Sequence, residues 1–223
     1  MDAVLDFARI LVEPGAVFAR VRERPRFWAP FAVVAVVSVL VGLVQLPYTR
    51  AALTIQLQTQ HAPAEAAQRA LSFASIGPFL APVFIAFILV VSTLVLWVTV
   101  SIVAGEGRFT PLLSVTTYSA IAYVLLSLVG LLVLTLRGTA GIASMEDLQP
   151  ALGLDLLAPG AKGFTLAFLR GINPFSLYGL FLTATGVQVT HQTARGTAYA
   201  AATIQFLITL LIIGGLAALG PRS

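Results

Sequence analysis

The side chains of this sequence that could do chemistry are few, and their spacing is informative. Serines 38, 92, 101, 114, 119, 127 and 176 offer hydroxyl nucleophiles. A serine attacks only with a base beside it, and no histidine or lysine is expected at membrane depth beside these serines, His191 falling at the end of its apolar stretch and reading as an interfacial histidine. A metal centre needs several His, Cys, Asp or Glu ligands converging on one point. Here the chain has two histidines, His61 and His191, no HExxH string and no cysteine. Coupled ion or proton transport draws on carboxylates kept inside the membrane at considerable cost, and the apolar blocks contain none. The residues therefore lead us to expect no catalytic, cofactor-binding or metal site, no cofactor, and a protein that is not an enzyme.

Uncharged polar groups remain. Gln45, Thr116 and Gln188 are the candidates for lining a polar path, with Ser92, Thr93, Thr99, Thr117 and Gln205 in similar settings. Such residues more often hold helices together through modest hydrogen bonds. Arg20, Arg22, Arg24, Arg26 and Trp28 form the other candidate set, for contact with the membrane surface: clustered arginines attract anionic lipid, and tryptophan favours the interface. Glu106, between two glycines, and His61, in a polar loop, read as solvated turn residues.

The elements that must position these groups follow from the distribution of charge. Blocks 27–49, 70–105, 109–136, 171–194 and 196–221 contain no Asp, Glu, Lys or Arg. Each exceeds the ~20 residues a helix needs to cross a ~30 Å hydrocarbon core. With 58% hydrophobic and 10% charged residues and a mean hydropathy of +0.96, the composition lies well outside the soluble class, where about 25% of residues are charged. The expected fold is all-α: a polytopic membrane protein, a five-helix transmembrane bundle with an amphipathic N-terminal arm. The spans fall at about 27–46, 79–103, 112–136, 174–190 and 198–219, and no room is left for a separate soluble catalytic domain.

Residues 1–26 form the arm, basic and cytoplasmic. Its acids are interleaved with five arginines and no uninterrupted apolar core is present, so it is expected to stay on the mature chain. Val4, Phe7, Ile10 and Leu11 share one helical face, Pro14-Gly15 breaks the helix, and Val17, Phe18 and Val21 follow. The pair either lies against the bilayer or packs on the loops of its own bundle. Pro30 and Pro82 suit first helical turns, as does Thr110-Pro111 as cap plus proline; with Gly105 and Gly107 before it, this last makes spans two and three a tight hairpin. Ser144-x-x-Asp147 reads as a capping box, and Asn173-Pro174 opens span four. That span is diluted by Thr183, Thr185, Gly186, Gln188 and Thr190, so it either crosses fully or forms a re-entrant or tilted segment. Four arginines just before span one place the N-terminus inside, with Arg222 and the C-terminus outside.

The ordered strings LVEPGAVFARVRERPRFWAP, GEGRFTPLLSVTTYSAIAYVLLSL and INPFSLYGLFLTATGV resemble the bacterial branch of the Yip-one (Ypt-interacting protein) family, over roughly residues 8–215. The resemblance implies a five-pass helical membrane protein, in bacteria one of the inner membrane, with a cytoplasmic N-terminus and an external C-terminus. Eukaryotic relatives bind lipidated Rab-type GTPases and one another. This chain has a shorter arm and lacks their Asp-Leu-Tyr-Gly-Pro and Gly-Tyr-x-Leu-x-Pro strings, so GTPase binding is not carried over. The expected function is a non-enzymatic membrane-organising or interaction protein. The alternative is a permease or channel for an uncharged or hydrophobic solute. Expected partners are the lipid bilayer and membrane proteins or further copies of the chain, and no nucleic acid.

Overall fold

The computed structural model describes residues 2–219, so Arg222 and the C-terminus at Ser223 lie outside the described residues. Among the described residues every regular element is helical. The arm forms α1 (Asp2–Arg9) and α2 (Pro14–Glu23), with Pro14 opening α2 where its missing N–H costs nothing. Next come α3 (Trp28–Thr59), α4 (Ala64–Ala104), α5 (Phe109–Ser119) and α6 (Ile121–Arg137), then three short 3₁₀ turns, then α7 (Gly163–Gly171), α8 (Pro174–His191) and α9 (Arg195–Leu219).

Four helices are long and apolar enough to cross a membrane: α3, α4, α5 and α6 taken together as Phe109–Arg137, and α9. In α3 and α4 only 11% of the most apolar window is buried by protein. Phe73, Phe79, Phe84, Phe87 and Ile102 on α4 are each more than 60% exposed. Water would make so large an apolar surface prohibitive, and a hydrocarbon solvent accounts for it. The chain is an all-α polytopic membrane protein.

Two of these helices are longer than expected. α3 runs 13 residues past Leu46, through Pro47, and α4 begins at Ala64 rather than near 79, carrying Pro78 and Pro82 in its interior. Pro82 is therefore not in a first turn. At ~1.5 Å per residue α4 is about 60 Å long. Proline survives inside membrane helices because neighbouring groups take up the freed carbonyls and packing holds the axis; Gly42 of α3 gives Pro78 its room, since a Cβ at 42 would stand 3.0 Å from the Pro78 Cβ. Loop one, in which Pro63-Ala64-Glu65 suits a helix start and the Ala-rich stretch through Leu71 suits a helix, is mostly helical, the two helices meeting at a short turn where His61 adopts φ +51.

α8 has 18 residues, about 27 Å of helix, and falls short of the four in apolarity. It does not pair with α9 alone. α7 also packs on α9, where Gly171 lies under Leu210 and Gly214 under Phe164. In tandem, α7 and α8 run antiparallel along nearly all of α9. The chain is interrupted between them at Asn173, whose Oδ1 accepts from the Ser176 N–H (2.9 Å) while the Ser176 Oγ accepts from the Asn173 N–H (3.0 Å). This is the cap expected from Asn173-Pro174.

Contacts divide the chain into two units. One comprises Met1–Val33, Ala86–Tyr123 and Ala151–Ser223; the other comprises Val34–Ile85 and Val124–Pro150. The core of the first is Leu96 and Val100 of α4, Leu112 of α5, Val187 of α8, and Ala198 and Ala201 of α9. Alanines at the α8–α9 seam let two backbones approach closely. The second is built around Ala52, Leu134, Ile142 and Leu148. There Asp147 accepts from the N–H groups of Ala143 (2.9 Å) and Ser144 (2.7 Å) and from the Ser144 hydroxyl (3.0 Å). Burial alone would raise its pKa; these bonds, with the charge of Arg137, outweigh that and hold it below the ordinary aspartate value. The capping box is present, but it closes a 3₁₀ turn (Met145–Leu148) and not an α-helix.

Candidate functional site

The arm is the most heavily constructed polar feature of the first unit. Phe7, Ile10, Val17, Phe18 and Val21 are all buried to 3% exposure or less, and α2 packs on both α5 and α8. The apolar face thus points into the chain's own helices, where it removes more surface from water than a shallow seat in the interface would. Packing on the bundle, the second of the two readings of the arm, describes that face. Exposed apolar groups remain on the other side: Val4, Leu5, Leu11 and Val12.

The seat is made by a glycine. A Cβ on Gly186 of α8 would lie 2.5 and 2.9 Å from the Val115 methyls of α5 and 3.0 Å from Cε1 of Phe18. The three helices meet there with no spare volume. Phe7 extends the contact to Tyr118, their ring centroids 6.3 Å apart, and the Tyr178 hydroxyl donates to the Leu11 carbonyl at 3.1 Å. Since Leu11 lies by Tyr178 and Phe18 by Gly186, α2 runs parallel to α8.

A forked ion pair fixes α1 to α2. Arg20 donates from Nε to Asp6 Oδ2 (3.1 Å) and from a terminal nitrogen to Oδ1 (2.7 Å); the bidentate form gives geometric specificity as well as energy. The hydrogen bonds from Arg20 to Asp6 hold the guanidinium pKa above its ordinary value. Arg20, expected at the membrane surface, therefore has its fork occupied. Arg22, Arg24 and Arg26 are exposed, and Trp28 is 71% exposed, tilted against Phe27 and edge-on to Phe31. Of the five surface candidates, these four stand open.

At the turn between α4 and α5, Gly105 takes φ +83 and ends α4 as expected. α5 begins earlier than the Thr110-Pro111 signature suggests: its cap is Arg108, and no side chain caps it. The reason lies on α8. The Arg108 N–H donates to His191 Nε2 (3.1 Å), and a terminal guanidinium nitrogen donates to the Thr190 carbonyl (2.9 Å). The Thr190 hydroxyl donates to the Gly186 carbonyl (2.7 Å) and lies 2.9 Å from His191 Nδ1. These bonds require a neutral imidazole protonated at Nδ1. Burial, reinforced by the charge of Arg108, lowers the His191 pKa. Trp97 completes the turn by donating to the Gly107 carbonyl at 2.9 Å.

The polar-path candidates are not brought together. Gln45 donates to the Leu148 carbonyl at 3.2 Å, inside the second unit. Thr116 lies buried in the first unit, its hydroxyl 2.6 Å from that of Thr93 and so joining α4 to α5. Gln188 is half-buried on α8. Two of the three are engaged in tying segments together. Among the described residues no three His, Cys, Asp or Glu side chains gather where they could hold a metal.

Two features had only faint sequence signals. The Asp6–Arg20 pair spans the Pro14-Gly15 break, and charges on two amphipathic helices joined by a breaker were the available hint. Asp155, 5% exposed, receives Arg170 Nε at 3.1 Å beside the α7–α8 interruption; an acid and a base at the two ends of a largely apolar segment were the available hint.

The comparisons with known proteins agree with this architecture. The chain resembles membrane protein YknW of Bacillus subtilis (strain 168), at 24% identity over 213 residues that cover 93% of this chain and 88% of the relative. No solved structure matches it. The Yip1 domain matches residues 8–217, nearly the whole chain, and the protein is accordingly a multi-pass membrane protein belonging to the Yip1 domain family.

Proposed function

We propose that the protein is a non-enzymatic membrane-organising or interaction protein of a bacterial inner membrane, presenting a rigid basic surface to partners or anionic lipid. The observation that carries this reading is the arm's division of labour. Its apolar face is committed to α5 and α8, Arg20 is committed to Asp6, and Arg22, Arg24, Arg26 and Trp28 stand exposed at its end. Cations near an anionic leaflet contribute about 1 kcal/mol each, and holding them at the end of a docked helix and in the short link to α3 avoids part of the ordering cost of a loose tail. Gln45 and Thr116 already bond to other parts of the chain, which favours this role over a polar conduit. The arginine-rich end supports a cytoplasmic N-terminus. Reading α7–α8 as a fifth crossing made of two pieces goes with an external C-terminus.

The test is photo-crosslinking in native membranes from a probe at position 22 or 28. We expect adducts with a membrane protein, a second copy or anionic lipid, reduced by the combined change Arg22→Glu, Arg24→Glu and Arg26→Glu. Absence of any adduct, together with solute flux through reconstituted vesicles, would sink the proposal in favour of the permease.

A further inference from the structure

The second unit holds a polar groove that the arm-based reading leaves unused. It measures about 350 Å³ and is lined by Arg50 and Thr54 of α3 and by Gln68, Leu71, Ser72 and Ser75 of α4. Its level is set by the charge pattern. Arg50 is the first charged residue after block 27–49, and Arg69 the last before block 70–105. The groove thus opens where both apolar belts begin, at headgroup height. Block 27–49 is about 35 Å of helix, enough to span a ~30 Å hydrocarbon core and leave Arg50 at its edge.

Its hydrogen-bonding capacity is asymmetric. Arg50 gives one N–H to the Ser75 hydroxyl at 2.6 Å, and a guanidinium has five. Among the described residues no carboxylate pairs with it; the nearest acid in sequence, Glu65, is taken by Arg69 at 3.5 Å. The hydroxyls of Thr54, Ser72 and Ser75 donate to the Arg50, Gln68 and Leu71 carbonyls of their own helices. Having used their protons, Thr54 and Ser72 can only accept. One wall therefore offers a cationic donor fork and the rest offers acceptors. Below the groove, Leu43 and Val44 of α3 and Phe73, Ile76 and Phe79 of α4 are exposed apolar surface.

We propose that this groove binds a phosphodiester that carries a hydrogen-bond-donating end, as a phospholipid headgroup does. The single negative charge of the phosphodiester matches the single guanidinium, in the geometry arginine favours for phosphate. A glycerol hydroxyl or an ethanolamine ammonium supplies protons to Thr54 and Ser72. The acyl chains lie along the exposed faces of α3 and α4. A soluble phosphate ester shares the anionic half of this chemistry, and the experiment separates the two sources.

The experiment uses the full chain purified in detergent and follows its thermal midpoint and, by native mass spectrometry, its retained adducts. The additions are dioleoyl phosphatidylglycerol, dioleoyl phosphatidylethanolamine, inorganic phosphate, and dioleoylglycerol, which lacks the phosphate. Phospholipid is expected to raise the midpoint and remain bound, whereas dioleoylglycerol does neither. Arg50→Gln should weaken half-saturation about tenfold, the scale of one charge-assisted hydrogen bond, and Arg50→Lys should recover part of it. Ser72→Leu, at an exposed position outside the core, should fill the groove and abolish the adduct while the chain without lipid melts as before. An Arg50-dependent response to inorganic phosphate equal to that with phospholipid would overturn the lipid assignment in favour of a soluble ester. Equal lipid responses in the parent chain, Arg50→Gln and Ser72→Leu would overturn the site.

Discussion

Gly186→Ala asks whether the arm is truly built into the helical core. The added Cβ would meet two Val115 methyls at 2.5 and 2.9 Å and a Phe18 ring carbon at 3.0 Å, against a comfortable carbon–carbon separation of about 3.5–4.0 Å. Neither neighbour can swing into open space, because Val115 and Phe18 are both 0% exposed. Overpacking of this kind costs about 1–3 kcal/mol, and three clashes from two separate helices place Gly186 at the upper end. Replacing a helical glycine by alanine returns up to about 1 kcal/mol. The net destabilisation is then about 2 kcal/mol, and for a chain of this size that lowers the melting temperature by about 4–8 °C.

The assay is thermal unfolding in one detergent at one scan rate, since membrane proteins often unfold irreversibly, followed by intrinsic tryptophan fluorescence. Limited trypsin digestion after Arg9 and Arg20 should quicken in parallel as the arm loosens. Val115→Ala removes both clashing methyls. The double variant should therefore be less destabilised than the sum of the two singles by 1 kcal/mol or more, a coupling expected only between residues in contact. A Gly186→Ala protein that melts at or above the parent temperature, or a strictly additive double variant, would refute the docking geometry.

Two further outcomes follow from the same unit. His191 has its pKa depressed in the folded chain, so the unfolded state binds more protons as the pH falls below 6.5. The stability it contributes is present above that pH and is lost on acidification. Between pH 7 and 5 the melting temperature of the parent should fall further than that of His191→Gln, and parallel melting curves would discard the neutral-imidazole assignment. Arg20→Ala leaves Asp6, whose side chain is 10% exposed, without its fork, and should cost about 1–2 kcal/mol. Arg9 sits 3.9 Å from Asp6 with a 60% exposed side chain, so Arg9→Ala should cost under about 0.5 kcal/mol. Equal melting temperatures for the two variants would show that the fork is not what holds α1 to α2.

The sequence legibly reported what lipid and water decide, and less of what packing decides. Charge-free blocks depend only on solvent, and they located α3, α4, α5–α6 and α9. What was not legible is that α3 runs on through Pro47 and that α4 is continuous through Pro78 into the span, because in a membrane helix neighbouring groups take up what a proline frees. The arm's amphipathic face was visible, but a hydrophobic stripe looks the same whether lipid or protein covers it. The deciding residue, Gly186, appeared in the sequence as one of five that diluted span four. At the α4–α5 turn, Thr110 looked like the cap because His191, which accepts from the Arg108 N–H, lies 83 positions downstream of Arg108 and could not be paired with it by eye.

The weak fourth block has a physical resolution in the interruption at Asn173. Irregular backbone at membrane depth is tolerated only where protein, not lipid, surrounds it. Between α7 and α8 the exposed groups are indeed taken up by the chain. The Asn173–Ser176 box satisfies the start of α8, the Leu154 N–H donates to the Ile172 carbonyl at 3.0 Å, and Asn173 Nδ2 donates to the Arg170 carbonyl at 3.0 Å. Gly153 lets that loop approach, since a Cβ there would stand 2.6 Å from the Ile172 carbonyl oxygen. Arg170, the one cation at the break, is matched by buried Asp155. The loop before α7 is thus built into the α7–α8 break, which lets the two short helices pack one after the other along α9. The dilution of residues 174–190 is then a consequence of burial, because a segment covered by α2, α5 and α9 has little lipid contact to reward with leucines.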